Sequence, residues 1–92
     1  MSIQITHIRL RGGSGHEHIV SYQWRSLSNG NTGSSGKPTM VAWVGEPENR
    51  AFVGTGTNRS EVGVIRPQHG QPYLRTYADG DWNNNLLSLP RF

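Results

Sequence analysis

The stretch Tyr73-Leu-Arg-Thr-Tyr-Ala78, closed by Asp79-Gly80, most narrows what this chain can fold into. Successive strand side chains point to opposite faces. Leu74, Thr76 and Ala78 then form one face, and Tyr73, Arg75 and Tyr77 form the other. The first set is small and partly apolar and suits a core. The second suits a surface that meets flat or anionic partners, because a guanidinium stacks on aromatic rings and pairs with phosphate or carboxylate. It equally suits ordinary cross-strand packing on an outer face. Asp-Gly is a strong turn signal.

Beyond the turn, Leu86, Leu87, Leu89 and Phe92 are too apolar for a free tail and are expected to dock on the body of the fold. Asp79, Asp81 and Asn83 stand at the first three ligand spacings of a calcium loop. Asn84 occupies that loop's glycine position and Pro90 its closing carboxylate position. These side chains are therefore expected to bond the local backbone instead, and no metal or other cofactor is expected.

Ninety-two residues make one domain, residues 1–92. The apolar fraction is 33% and there are 12 glycines, which favours short strands and turns over helices. A core of this size is modest, and a homo-oligomer would enlarge it. The net charge is +3, a small footprint for nucleic acid. Among the basic residues only Lys37 is not arginine, a bias toward planar, bidentate recognition. Cysteine is absent, which excludes a disulfide framework, a thiolate zinc site and a cysteine nucleophile. No apolar run is long enough to span a membrane. The start Met-Ser-Ile-Gln-Ile-Thr-His lacks a signal-peptide layout. A cytoplasmic location without membrane contact is the expectation.

Along the chain, Ile3–Arg11 reads as a first strand. Its apolar phase shifts between Ile5 and Ile8, which predicts a bulge or burial of both faces. Gly12-Gly13-Ser14-Gly15 lacks the Lys-Ser/Thr end of a nucleotide loop and reads as a connector. His16-Glu-His18 leads into a second strand ending near Ser26. Val20, Tyr22 and Trp24 share a face that His16 and His18 would continue if the strand extends back to them. Such a histidine pair could ligate a metal with His7 or His69, or one could act as an acid–base; edge hydrogen bonding is the plainer use. Residues 28–36 read as a polar, mobile loop. Lys37–Val44 is the one helix candidate, with Pro38 in the first turn and Gly45 and Pro47 as stops. Residues 50–57 and 60–66 read as a hairpin about Asn58-Arg59. The expected fold is α+β and mostly β: a curled antiparallel sheet of about five strands, a half-open barrel being one form, with one short helix.

His16-Glu-His-Ile19, Tyr73-Leu-Arg-Thr76, Ala78-Asp-Gly80 and Asn84-Asn-Leu-Leu-Ser-Leu-Pro90 carry a resemblance. The chain is similar, at both ends and over roughly half its length, to the small bacterial and phage proteins grouped as domain of unknown function 3892. In the middle, the Gly/Ser loop and Lys37–Val44 stand where that family has a longer charged helix. The resemblance implies a small α+β domain and brings no catalytic residues with it. His16, His18, Tyr73, Arg75, Asp79 and Asn84 are the positions that match its pattern.

With no nucleophile motif and no evident carboxylate pair, a non-catalytic role is favoured over an enzyme. The leading expectation is a binder of a small anionic, nucleotide-type ligand, one form of which sequesters a signalling nucleotide as some phage counter-defence proteins do. Its candidate residues are Arg9, His16, His18, Tyr73, Arg75, Tyr77, Asp79 and Asn84. A nucleic-acid-binding module and a protein-interaction or structural domain are the alternatives.

Overall fold

The computed structural model describes residues 1–54, 59–78 and 80–92. Its strands are β1 (Ser2–Leu10), β2 (Ile19–Ser26), β3 (Thr32–Gly36), β4 (Arg50–Val53), β5 (Ser60–Ile65), β6 (Tyr73–Ala78) and β7 (Asp81–Asn83), with one helix, α1 (Lys37–Val44). Short 3-10 turns cover His16–His18 and Asn85–Ser88. The strands make one sheet in the order β3-β2-β1-β4-β5-β6-β7.

The mostly β architecture with a single short helix agrees with the sequence reading, but the sheet departs from it in three ways. It has seven strands rather than about five. It is open: β3 and β7 are its two edges and no barrel forms among the described residues. It is also not purely antiparallel, because β1 pairs with β4 in parallel, Ser2 to Arg50 through Gln4 to Phe52. The two additional strands share a reason for showing no strand pattern in the sequence. Thr32–Gly36, read as a mobile loop, is too small and polar to show a strand pattern, yet it pairs with β2 from Ser21 to Arg25. Asp81–Asn83 is only three residues long, begins directly after Gly80 and pairs with Thr76–Ala78. Backbone pairing does not require apolar side chains.

β1 is an interior strand, between β2 and β4, and its bulge falls where the phase shift predicts it. The register with β2 slips between Ile5 and His7. Ile5 and Ile8 stand three apart and would face opposite sides of a regular strand. The extra residue turns both inward, and both are fully buried. A second slip, between Arg9 and Leu10, does the same for Ile19 and Tyr22 on β2. Along its other edge β1 holds β4 at its start and the chain's tail at Ile8. There the Ile8 N–H donates to Pro90 O at 3.0 Å and the Phe92 N–H to Ile8 O at 3.2 Å.

α1 follows the predicted bounds, with Gly36 before its first turn and the Gly45 N–H closing onto Val41 O. It buries Met40 and packs Val41, Trp43 and Val44 against the core. That core joins Ile3, Ile5, Ile8, Ile19 and Tyr22 to Val62, Leu74 and Leu86. The Tyr22 hydroxyl reaches the Leu74 backbone without a hydrogen bond of good geometry. Burial holds its phenol well above the ordinary range, partly offset by that backbone group. The docking expected of the tail is seen: Leu86 is fully buried, and Leu87 and Leu89 pack beside it. No helix among the described residues is long and apolar enough to cross a membrane.

Candidate functional site

β6 carries out the alternation its sequence shows. Leu74 and Thr76 are fully buried, while Tyr73, Arg75 and Tyr77 are only partly covered. The three outward residues have different surroundings, and those surroundings decide what each can do.

Tyr73 meets His16, with ring centroids 6.4 Å apart and planes 24° from parallel. His16 does not extend β2 as a strand residue. It lies in the 3-10 turn, which brings it against β6, and His18 points back to accept the Gly15 N–H at 3.3 Å. The histidines therefore do not line one strand face. His16 is buried, and its Nε2 has no hydrogen-bond partner. Burial, and then the Arg75 charge, lower its pKa; Glu17 partly opposes them.

Arg75 is engaged by the end of β7 and the residue after it. Its Nε donates to Asn83 O at 3.2 Å and its Nη2 to Asn84 Oδ1 at 3.3 Å. Asn83 and Asn84 thus hold the guanidinium, while Asn83 and Asn85 bond the chain beside it. Thr76 donates its hydroxyl proton to Asn83 Oδ1 and accepts the Leu86 N–H. The amides of Asn83 and Asn85 both reach Ser60 Oγ. The expected bonding to the local backbone is met by Asn83, whose Oδ1 accepts the Asn85 N–H at 3.0 Å. Arg9 is likewise held by the tail: its Nε donates to Phe92 O at 2.8 Å, and its guanidinium lies 4.6 Å from the Phe92 ring centre. Asp79 lies outside the described residues. Among those described, no cluster of three or more His, Cys, Asp or Glu side chains has a metal-holding arrangement.

Tyr77 belongs to a different group. Phe52, Glu61, Tyr77 and Trp82 are successive cross-strand neighbours over β4, β5, β6 and β7. Such neighbours share a face. The Tyr77 and Trp82 rings meet edge to face, with centroids 5.2 Å apart and planes at 72°. Both lie over Gly63, where a Cβ would sit 3.2 Å from each ring. A side chain there would crowd the pair, so this strand glycine makes the seat for the two aromatics. Trp82 is 46% exposed.

Glu61 accepts the Tyr77 hydroxyl proton at 2.5 Å. This bond first, then burial and the nearby carboxylate charge, raise the Tyr77 pKa, while Arg50 opposes the rise. The Arg50 guanidinium stands 3.7 Å from Glu61 and its side chain is 64% exposed. Arg59 covers the Phe52 ring at 4.2 Å. Two depressions, of about 410 and 330 Å³, flank the Arg50–Glu61–Tyr77 line; Arg66 lines the first and Arg59 the second. A depression of about 590 Å³ along α1 shares Gly45, Glu46 and Arg66 with the first of these and has no aromatic residue in its lining.

The candidate residues therefore divide. The structure joins His16 to Tyr73 and Arg75 to Asn84, leaves Arg9 with the tail, and sets Tyr77 in a group with Arg50, Glu61, Gly63 and Trp82 that the sequence did not assemble. Those four carry no motif. Their common face follows from the β4–β5–β6–β7 register, and the one signal in the sequence was a glycine inside a predicted strand.

No curated protein and no solved structure matches the chain. A family model described as "Protein of unknown function (DUF3892)" matches residues 4–90, nearly the whole chain, the middle as well as the two ends that carried the resemblance. The chain belongs to this family of unknown function.

Proposed function

We propose that this protein is a non-catalytic binder of a small anionic, aromatic ligand of the nucleotide type, held on the Tyr77–Trp82 face. The carrying observation is the exposed aromatic pair over Gly63, flanked by the Arg50 guanidinium. A base stacks on an aromatic face, and a stack of this kind is worth about 1–3 kcal/mol. Arg50, Arg59 and Arg66 line the adjoining depressions, where a phosphate would sit. Binding without turnover would withdraw a nucleotide from solution, which is the sequestering role.

A tryptophan titration tests this. Nucleotides at near-physiological salt should quench the emission of the exposed Trp82 saturably and raise the Tm. Trp82→Ala should abolish the quench and weaken binding about 10-fold or more, with the fold intact by circular dichroism. Quenching that survives in Trp82→Ala, or no rise in Tm with any nucleotide, would sink the proposal. Binding confined to oligonucleotides, falling steeply with salt, would point to a nucleic-acid module instead.

A further inference from the structure

A carboxylate stands among the arginines of this face. Glu61 lies between Arg50 and Tyr77; of the depressions beside it, one carries Arg59 and the other Arg66 with Glu46. A phosphate drawn to the arginines is repelled by Glu61. A purely phosphate-binding surface would do better with a neutral residue here, so the carboxylate has to serve a different part of the ligand.

Its free acceptor capacity indicates which part. A carboxylate offers two oxygens and about four acceptor positions. The Tyr77 hydroxyl occupies one position on Oε2. Arg50 comes to 3.7 Å from Oε1, beyond hydrogen-bond length. The Glu61 side chain keeps 29% of its surface open. A ligand edge that uses this capacity must present donors and no acceptor between them. The guanine base carries two adjacent donors, N1–H and N2–H, spaced for the two oxygens of one carboxylate. Adenine carries one donor beside a ring-nitrogen lone pair that a carboxylate repels. Uracil's single ring donor is flanked by two carbonyls, and cytosine pairs its amino group with an acceptor nitrogen.

We propose that the ligand is a guanine nucleotide, with Glu61 reading the base and Arg50, together with Arg59 or Arg66, taking the phosphate. This deepens the nucleotide-binding reading and rests on it. Tyr77 is a positioning residue here: its hydroxyl fixes the carboxylate, and its ring forms one wall of the base seat.

The experiment titrates GMP, IMP and AMP into the full chain and into Glu61→Gln, following Trp82 emission and the heat of binding. IMP lacks the N2 amino group and AMP lacks both guanine donors. Hydrogen bonds to a charged group set the expected spread. GMP should bind about 10-fold or more tighter than AMP, with IMP between them. Glutamine keeps the side-chain shape and an acceptor for Tyr77, but replaces one oxygen with a donor. In Glu61→Gln the gap between GMP and AMP should shrink to about 3-fold or less, while the Tm without ligand stays close to that of the wild type. Equal affinity for GMP and AMP through a Trp82-dependent site would overturn the guanine assignment and leave the nucleotide reading standing. A guanine preference that persists in Glu61→Gln would also overturn it, since Glu61 would not be the reader. No binding of any of the three would remove both readings. Binding of a guanine-containing oligonucleotide alone would overturn the free-nucleotide form of the proposal.

Discussion

Arg75 and Arg50 stand on neighbouring parts of one sheet and do opposite things. Arg75 gives two hydrogen bonds, to Asn83 at the end of β7 and to Asn84 after it, and the neighbouring Asn83 and Asn85 amides are bonded to Thr76 and Ser60. Arg50 is largely exposed and touches Glu61 only at 3.7 Å. The residue type is the same; the difference is how many partners the fold supplies. Where the tail returns to the sheet, nearly every polar group is taken up by chain, and that end of β6 holds the structure together. Beyond Tyr77 the cross-strand row runs out to an exposed tryptophan and an arginine with unused donors. The part of β6 that resembles a ligand site in sequence is mostly occupied, and the part that remains free was assembled from strands that looked ordinary.

The comparison breaks first if the tail is not structural. Leu86 is fully buried, and its N–H bonds the Thr76 hydroxyl that also holds Asn83. Leu86→Ala should destabilise the protein by about 2–5 kcal/mol, the usual cost of emptying a core position of this kind. Urea unfolding followed by circular dichroism measures it. A loss below about 1 kcal/mol would mean that the tail packs only loosely.

The arginine pair sharpens the comparison directly. Arg75→Ala removes two charge-assisted bonds and leaves the Asn83 carbonyl and Asn84 amide to re-pair with solvent. It should cost about 1–2 kcal/mol. Arg50→Ala should change stability by no more than about 0.5 kcal/mol, because an exposed, loosely placed ion pair contributes little. For nucleotide binding the order should reverse, with Arg50→Ala the more damaging. Parallel Tm and titration measurements on the two variants decide it. Equal losses in both assays would erase the distinction between the two regions.

Much of this was legible in the sequence, and the reasons are local. The Leu74/Thr76 face, the β1 bulge, the bounds of α1 and the docking of the tail each follow from spacing within a few residues. The outcome at His16 did not follow. A strand reading was natural for His-Glu-His-Ile, but three residues in a 3-10 turn bring His16 against β6 instead. β3 escaped because Thr-Gly-Ser-Ser-Gly has no face to alternate. The Tyr77 group escaped because its members come from four strands, and only register brings them together. Glycine was the telling residue. Gly63 inside a strand weakens the ladder unless something covers it, and the Tyr77 and Trp82 rings do.

One position within the well-bonded region breaks its rule, and the smallest expected effect lies there. His16 is buried beside Tyr73 with an unpartnered Nε2, and the charges facing it are Arg75, which disfavours protonation, and Glu17, which favours it. Its pKa in the folded state is below the ordinary 6.5, with burial as the main cause. The unfolded chain therefore takes up this proton before the folded one does. The contribution of neutral His16 to stability is complete above about pH 6.5 and is lost as the pH falls through the folded-state pKa. In His16→Phe the ring stays against Tyr73 and the titrating, unpartnered nitrogen is gone. The Tm of the wild type should consequently fall more steeply than that of the variant between about pH 7.5 and pH 5. The difference between the two curves at each pH isolates His16 from the carboxylates and the other histidines. Parallel curves would mean that His16 finds a partner for its proton in the folded protein, and the bonded region would then have no exception.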